Sequence, residues 1–435
     1  MRIALLTAGA GGMYCGSCLR DNALAAALLD RGEEVVLLPA YTPIRTDERD
    51  VSAGPVFYGG LNVYLQQKWG LFRHSPAWLD RALDSPRLIR WAARWSARTD
   101  ARQLGALTLS VLRGERGRQR KELDKLVLRL QKDIRPEIVN LPNALFAGLA
   151  RPLKQRLGVP VICTMTGEDL FLDALPDAPR REAWQMLREQ ARHVDAFIAT
   201  SRYFGGFMSE ALGLDPALVH VVHPGINLEG YPEGPASERS APDRPVIGYL
   251  ARLCPEKGMH QLVEAFRALR RQPGGPPCRL RVSGYLGEGN RAYVEGLRTR
   301  LEEAGLGRDF DLLPSVDRRQ KIEFLQGLDV FSVPTSYREA KGIFILEALA
   351  CGVPVVQPAH GSFPELIEAT GGGLLVPPND PLALASSLQR LLEDSLLRHE
   401  LGERGRQAVR ECFNAGRMAE KTLAVYRRYL SPSES

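Results

Sequence analysis

Short apolar runs recur along this chain, each followed by a glycine-rich or polar turn and then by apolar residues at helical spacing. Ile3–Thr7, Glu34–Pro39, Ile138–Leu141, Val159–Thr164, Asp195–Thr200 and Val219–Val222 read as strands. The pattern continues with Val246–Leu250, Leu280–Ser283, Phe310–Leu313, Val330–Pro334, Val353–Val356 and Leu374–Val376. A strand without polar alternation is buried on both faces, and the helical stretch between two such strands is the crossover that parallel pairing requires. The alternation therefore predicts an α/β chain of parallel sheets. With 435 residues a single core is not expected. A Pro-, Ser-, Glu- and Gly-rich stretch at 232–244 reads as a linker between domains at 1–231 and 245–412, with a helix and tail at 413–435. The apolar spacing of that last helix, about Ala415–Tyr429, suits packing across a domain boundary.

Composition narrows the partners. The formal charge of +6 is mild for this length, so an anionic substrate is permitted and nucleic acid is not expected. The seven cysteines are odd in number and sit mostly in apolar strands and helices, which argues for a reducing compartment. Met1-Arg2 runs straight into a strand, and no apolar run approaches a membrane span. The expectation is a cytoplasmic protein. The basic excess is concentrated between Lys68 and Arg135, where the net charge is about +10. This helical insertion, about 66–135, interleaves Arg with Trp69, Trp78, Trp91 and Trp95. Two readings stand side by side: peripheral contact with an anionic membrane, or Trp packing on the first domain with Arg in water. Before it, Val56–Leu65 reads as a hairpin with a Gly-Gly turn.

The first strand leads into Gly9-Ala10-Gly11-Gly12-Met13-Tyr14-Cys15-Gly16-Ser17-Cys18, then a helix from about Asp21. Glycines there let a ligand approach the backbone. The spacing is not the dinucleotide fingerprint GxGxxG, and the acidic residue expected after the second strand is missing, so a nicotinamide enzyme is set aside. Cys15 and Cys18 form a CxxC, readable as a thiol–disulfide motif at a helix start or as small residues packing a tight loop; the packing reading is preferred.

The densest stretch is SYREAKGIFILEALACGVPVVQP, Ser336 to Pro358. It reads as loop, helix, glycine stop and buried strand, with Glu339 in the loop and Glu347 about one turn into the helix. The N–H groups and positive end of that helix suit an anionic ligand. Arg252 and Lys257 occupy the loop after Val246–Leu250, where two cations suit a diphosphate. Both loops lie at C-terminal strand ends, where open α/β sheets bind ligands. A diphosphate site beside carboxylates points to a nucleotide with a hydroxylated group attached.

With Gly248-Tyr249-Leu250-Ala251-Arg252-Leu253, Glu256-Lys257-Gly258, the Glu339/Glu347 pair with Gly342, Gly352-Val353-Pro354-Val355-Val356, Pro364-Glu365 and Gly373-Leu374-Leu375-Val376, the second domain resembles the donor half of a retaining family-4 glycosyltransferase. That resemblance implies the GT-B fold of two facing Rossmann-like domains, joined by a C-terminal crossover helix. It implies that Arg252 and Lys257 hold the donor diphosphate and that Glu339 lies by the transferred sugar. Glu347 would hold the ribose, backbone near Gly342, Ile343 and Phe344 would support sugar or phosphate, and Val316 would lie near the base. Gly11 and Gly12 fit the family's first-domain loop. Leu38-Pro39-Ala40-Tyr41, Val63-Tyr64-Leu65 and Leu71-Phe72-Arg73 are faintly similar to glycogen and starch synthases. One departure stands out. Where the family commonly has Thr-x-His-Gly, Thr164-Met165-Thr166-Gly167 places Thr166. Thr cannot carry a proton at neutral pH, yet in a front-face mechanism the leaving phosphate takes the acceptor proton.

The implied activity is transfer of a hexose from a UDP- or GDP-linked donor to a sugar, glucan or lipid acceptor, with no cofactor. The expectation is that the chain carries no Asp-x-Asp pair, and so no metal held that way. The rival readings are a nucleotide-sugar epimerase of the same fold and a catalytically degenerate sensor or scaffold, for which Thr166 is the best support.

Overall fold

The computed structural model describes residues 1–9, 14–53, 56–57, 101–234, 244–272 and 274–430, with backbone only for 101–104. The chain divides into two compact units, Met1–His223 together with Met418–Ser435, and Pro224–Arg417.

The first unit holds β1 (Arg2–Thr7), β2 (Glu34–Pro39), β3 (Ile138–Leu141), β4 (Val161–Met165), β5 (Ala196–Ala199) and β6 (Val219–Val221). They form one parallel sheet in the order β2-β1-β3-β4-β5-β6. Every residue of β3, β4 and β5 is buried, as apolar runs covered by helices on both faces must be. Helix Arg202–Leu212 starts at Ser201, whose side chain accepts from the Phe204 N–H at 3.1 Å. Of the expected basic insertion, the described part comprises helices Ala101–Leu112 and Arg120–Arg129 and a π-turn Leu130–Ile134. Val111, Leu112, Leu123, Leu126 and Val127 are buried, so this part packs into the unit. The four Trp residues, most of the expected hairpin, Gly11 and Gly12 lie outside the described residues.

Helix Gly16–Leu29 begins five residues before the expected Asp21, and this puts Cys15 at its N-cap and Cys18 inside its first turn. Helix Ala415–Tyr429 belongs to this unit from Met418 on. Tyr426 is fully buried, and His220 and the Tyr429 hydroxyl are 2.8 Å apart.

The second unit holds β7 (Val246–Leu250), β8 (Arg279–Ser283), β9 (Phe310–Leu313), β10 (Val330–Phe331), β11 (Val355–Pro358) and β12 (Gly373–Val376). They too form a parallel sheet, in the order β12-β11-β10-β7-β8-β9. Its core includes Ile247, Val282, Phe331 and Val355, all fully buried. The chain runs outward from β7 through β8 to β9, then returns to the other side of β7 with β10. The β7/β10 boundary is therefore the topological switch point, where an open parallel sheet leaves a crevice at its C-terminal edge. β10 is shorter than the expected Val330–Pro334, although the Ser332 N–H still donates to the Gly248 carbonyl at 3.0 Å. The two units meet in sequence at His223 and Pro224, earlier than the boundary read from composition, and 235–243 of the expected linker lie outside the described residues.

Candidate functional site

The loops after β7 and β10 are locked together at the switch point. Gly258, at φ +73°, has the carbonyl of Pro334 where a Cβ would stand, so only glycine permits this approach. The Ser336 N–H donates to the Glu256 carbonyl at 2.9 Å across the same seam. Tyr249, fully buried under the β7 loop, has its hydroxyl 3.4 Å from the Arg252 carbonyl oxygen and 3.3 Å from that of Lys257.

This seam brings Lys257, from β7, onto Glu339, from β10. The Lys257 ammonium donates to Glu339 Oε2 at 2.6 Å and to the Tyr337 hydroxyl at 2.6 Å, and that hydroxyl donates to the same Oε2 at 2.5 Å. The ammonium also lies 5.0 Å from the centre of the Phe344 ring. Glu339 is 5% exposed. Burial by itself would raise its pKa, but the Lys257 and Lys341 charges and the hydrogen bonds from Lys257 and Tyr337 win, holding it at about 2. It is therefore a fixed anion at neutral pH and cannot serve as a proton donor. Burial, then the Glu339 charge, pushes the Tyr337 phenol well up. Arg252, exposed on the same loop, has its Nε 3.3 Å from Cys254 Sγ and no ion pair among the described residues. Because Lys257 is already balanced by Glu339, Arg252 is a cation placed to meet an incoming anion.

Helix Ile343–Ala350 opens at Gly342, whose φ is +64° and whose Cβ position is 2.6 Å from Leu366 Cδ1. The first-turn N–H groups of Ile343 and Phe344 have no intrahelical acceptor. The loop is braced from behind, where the Ser362 N–H donates to the Glu339 carbonyl at 2.7 Å. His360 sits there too, its Nε2 3.0 Å from the Thr335 carbonyl oxygen, and burial lowers its imidazole pKa.

Glu347 forms a second, separate pair. Lys321, on helix Arg318–Gln326, donates to its Oε1 at 2.6 Å. That helix starts with a capping box between Asp317 and Gln320, and Val316 lies half-buried just before it, past the end of β9. Tyr231 completes the group, with the Arg318 guanidinium 5.4 Å from its ring centre.

The family model described as "Glycosyl transferases group 1" matches residues 232–408, and that of "Glycosyltransferase Family 4" matches 108–229. A GDP-mannose-dependent alpha-(1-6)-phosphatidylinositol monomannoside mannosyltransferase of Mycolicibacterium smegmatis is 30% identical over 271 residues, 59% of this chain and 68% of that protein. The chain belongs to the family-4 glycosyltransferases. A D-inositol 3-phosphate glycosyltransferase of Kineococcus radiotolerans is 31% identical over 271 residues, covering 58% of this chain and 61% of that one. The chain thus spans about three-fifths of such curated relatives. Among solved structures, sucrose-phosphate synthase from Thermosynechococcus elongatus aligns over 98% of both chains with TM-score 0.69 at 22% identity. Anabaena HepE in complex with UDP-glucose aligns over 98% of this chain and 99% of its own, with TM-score 0.69 at 16% identity. The fold is GT-B, with its two parallel α/β sheets.

For this family member, sequence reasoning placed Arg252, Lys257, Glu339, Gly342, Ile343 and Phe344 at one sheet edge, and the structure brings them to one seam. It sets Glu347 apart with its own lysine. Thr166 lies in the first unit, buried at the end of β4, in a turn organised by Glu168. The Thr166 and Gly167 N–H groups donate to Glu168 Oε2, and the Ala144 N–H to Oε1, each at 2.7 Å. Tyr337, Lys321 and His360 were missed. Tyr337 adjoins Arg338-Glu339 and was within reach of inspection, whereas nothing in the spacing ties Lys321 to a carboxylate 26 positions later.

One further expectation needs correction. The sequence does hold an Asp-x-Asp, Asp309-Phe310-Asp311, at the start of edge strand β9. Both are occupied by arginines: Asp309 by Arg244 at 2.8 Å and Arg270 at 3.0 Å, Asp311 by Arg279 at 3.0 Å. They stand at the N-terminal start of edge strand β9, whereas Lys257 and Glu339 follow the C-terminal ends of the central strands β7 and β10. Among the described residues no cluster of three or more His, Cys, Asp and Glu could hold a metal ion, and no helix is long and apolar enough to cross a membrane.

Proposed function

We propose that the chain transfers a hexose from a nucleotide-diphosphate sugar, UDP- or GDP-linked, to a glycan or lipid acceptor, with retention at the anomeric carbon and without a metal, in the cytoplasm. The observation that carries this reading is the Lys257–Glu339–Tyr337 cluster at the β7/β10 switch point, with exposed Arg252 on the same loop. Arg252 and Lys257 would hold the diphosphate and offset the charge that develops as it leaves. Glu339, ionised at neutral pH, would orient Lys257 and favour positive charge building at the sugar's anomeric carbon. Since Glu339 cannot supply a proton, the leaving phosphate would receive the acceptor's. Glu347, with Lys321, would accept from ribose hydroxyls. The relatives support such a donor and acceptor: the Mycolicibacterium smegmatis protein is a GDP-mannose-dependent phosphatidylinositol monomannoside mannosyltransferase, and HepE is seen with UDP-glucose.

Melting curves with UDP- and GDP-sugars test donor binding, because a ligand of the folded state raises the midpoint. Product anomers read by NMR then test retention. No shift with any nucleotide sugar would remove the reading. Turnover lost to a chelator would remove its metal-free part. Tight donor binding with no transfer to any acceptor would favour the sensor reading that Thr166 supports.

A further inference from the structure

The Cys15-Gly16-Ser17-Cys18 motif lies in the first unit and takes no part in the reaction above. Cys15 is the N-cap of helix Gly16–Leu29, with extended backbone at φ −119° and ψ 126°. Cys18 is the third residue of that helix and fully buried, whereas Cys15 is half-buried. One helical turn sets such Cα atoms about 5–6 Å apart, a separation that a disulfide spans without backbone movement. A hydrogen bond with Cys15, then burial, pushes the Cys18 thiol far up. A further turn along the same face stands Asp21, 4% exposed. Its Oδ1 accepts from Arg20 at 2.9 Å, and its Oδ2 makes no hydrogen bond of ordinary geometry, although the buried Thr7 hydroxyl lies near enough to both Asp21 and Cys18 to lower their pKa values. Burial pushes this carboxyl up to about 6, against the pull of Arg20. The arrangement has an accessible sulfur at the positive end of a helix, a buried sulfur one turn on, and a buried carboxylate oxygen able to take a proton.

We propose that Cys15 and Cys18 form a reversible dithiol–disulfide site that exchanges with low-molecular-weight disulfides through Cys15. Cys15 loses its proton to solvent and attacks one sulfur of the small disulfide. A mixed disulfide forms on Cys15, and one small thiolate departs and is protonated. Cys18 passes its proton to Asp21 Oδ2 and attacks the Cys15 sulfur, which expels the second small thiolate, protonated in turn. Two protein thiols are oxidised, and the small disulfide gains two electrons and becomes two thiols.

The test starts from the full chain carrying Cys412→Ser, which removes the exposed thiol, and uses oxidised glutathione as the probe. Trypsin leaves both cysteines in the peptide Ile3–Arg20. The expected result, below the melting temperature, is loss of two hydrogens from that peptide, reversed by dithiothreitol. Cys18→Ser should stop at the Cys15–glutathione adduct, and Asp21→Asn should prolong that adduct at least several-fold. If Cys18→Ser does not fold, the time course of the parent protein decides. The proposal is overturned if both thiols of the folded parent stay alkylatable after oxidant. It is equally overturned if the parent stops at the adduct, or if the disulfide forms only on unfolding.

Discussion

Arg252 and Lys257 occupy one loop and carry the same charge, yet their environments make them different experiments. Arg252 is exposed and makes no ion pair among the described residues, so Arg252→Ala should leave the melting temperature within a degree or two while weakening donor binding about tenfold to a hundredfold by calorimetry, the loss of one charged hydrogen-bonding partner. Lys257→Ala would leave Glu339 buried beside an empty position. It should cost about 3 kcal/mol in denaturant melts as well as turnover, because breaking a buried pair strands a charge. Glu339 also predicts an acid response. Its folded pKa of about 2 lies below its ordinary 4.5, so it contributes stability that is fully present above pH 4.5 and is lost as pH falls toward 2. That contribution is on the order of 3 kcal/mol from the size of the shift. Wild-type protein should lose stability over that window relative to Glu339→Gln in urea melts taken at stepped pH; parallel curves would contradict it.

Among the elements, the β7 loop and the β10 loop depend on one glycine more than on any side chain. Gly258→Ala meets backbone rather than a movable side chain and must also hold φ near +73°, so it should destabilise the second unit by about 2 kcal/mol or more. It should also separate Lys257 from Glu339, lowering donor affinity further than its effect on stability explains; equal melting and affinity for the variant would show the seam to be incidental. The helices with strong terminal signals were readable in advance. Ser201 capped its helix, and Ala415–Tyr429 ended where its apolar spacing did. Helix Gly16–Leu29 was misread at its start because Gly16 and Ser17 look like loop residues, and only packing of Cys18 into the core extends the helix backward over them.

At the scale of the whole molecule, the last helix belongs to the first unit although most of its sequence neighbours belong to the second. Met418, Ala419, Leu423 and Tyr426 are buried, and Tyr426 lies near enough to Arg20 and Asp21 to feel their charges. Deleting the chain from Ala415 should lower the unfolding transition of the first unit by several degrees in calorimetry. The second unit, with Lys257 and Glu339, should still shift its own transition with a nucleotide sugar. Loss of both transitions together would show that the units do not unfold separately.

The sequence by itself determined the parallel α/β class and the order of its strands along the chain, because burial on both faces forces apolar runs that no other arrangement accommodates. It also determined that Arg252, Lys257, Glu339 and the start of helix Ile343–Ala350 share one sheet edge, since parallel strands put all their C-terminal ends on the same side. Only the tertiary structure decided which charges meet. Lys257 was claimed by Glu339 and Tyr337, Glu347 by Lys321, and the Asp309-Phe310-Asp311 carboxylates by arginines at the start of β9. The physical reason is range: strand and helix formation follow from neighbours a few residues away, whereas an ion pair depends on two loops, tens of residues apart, closing to within hydrogen-bond distance.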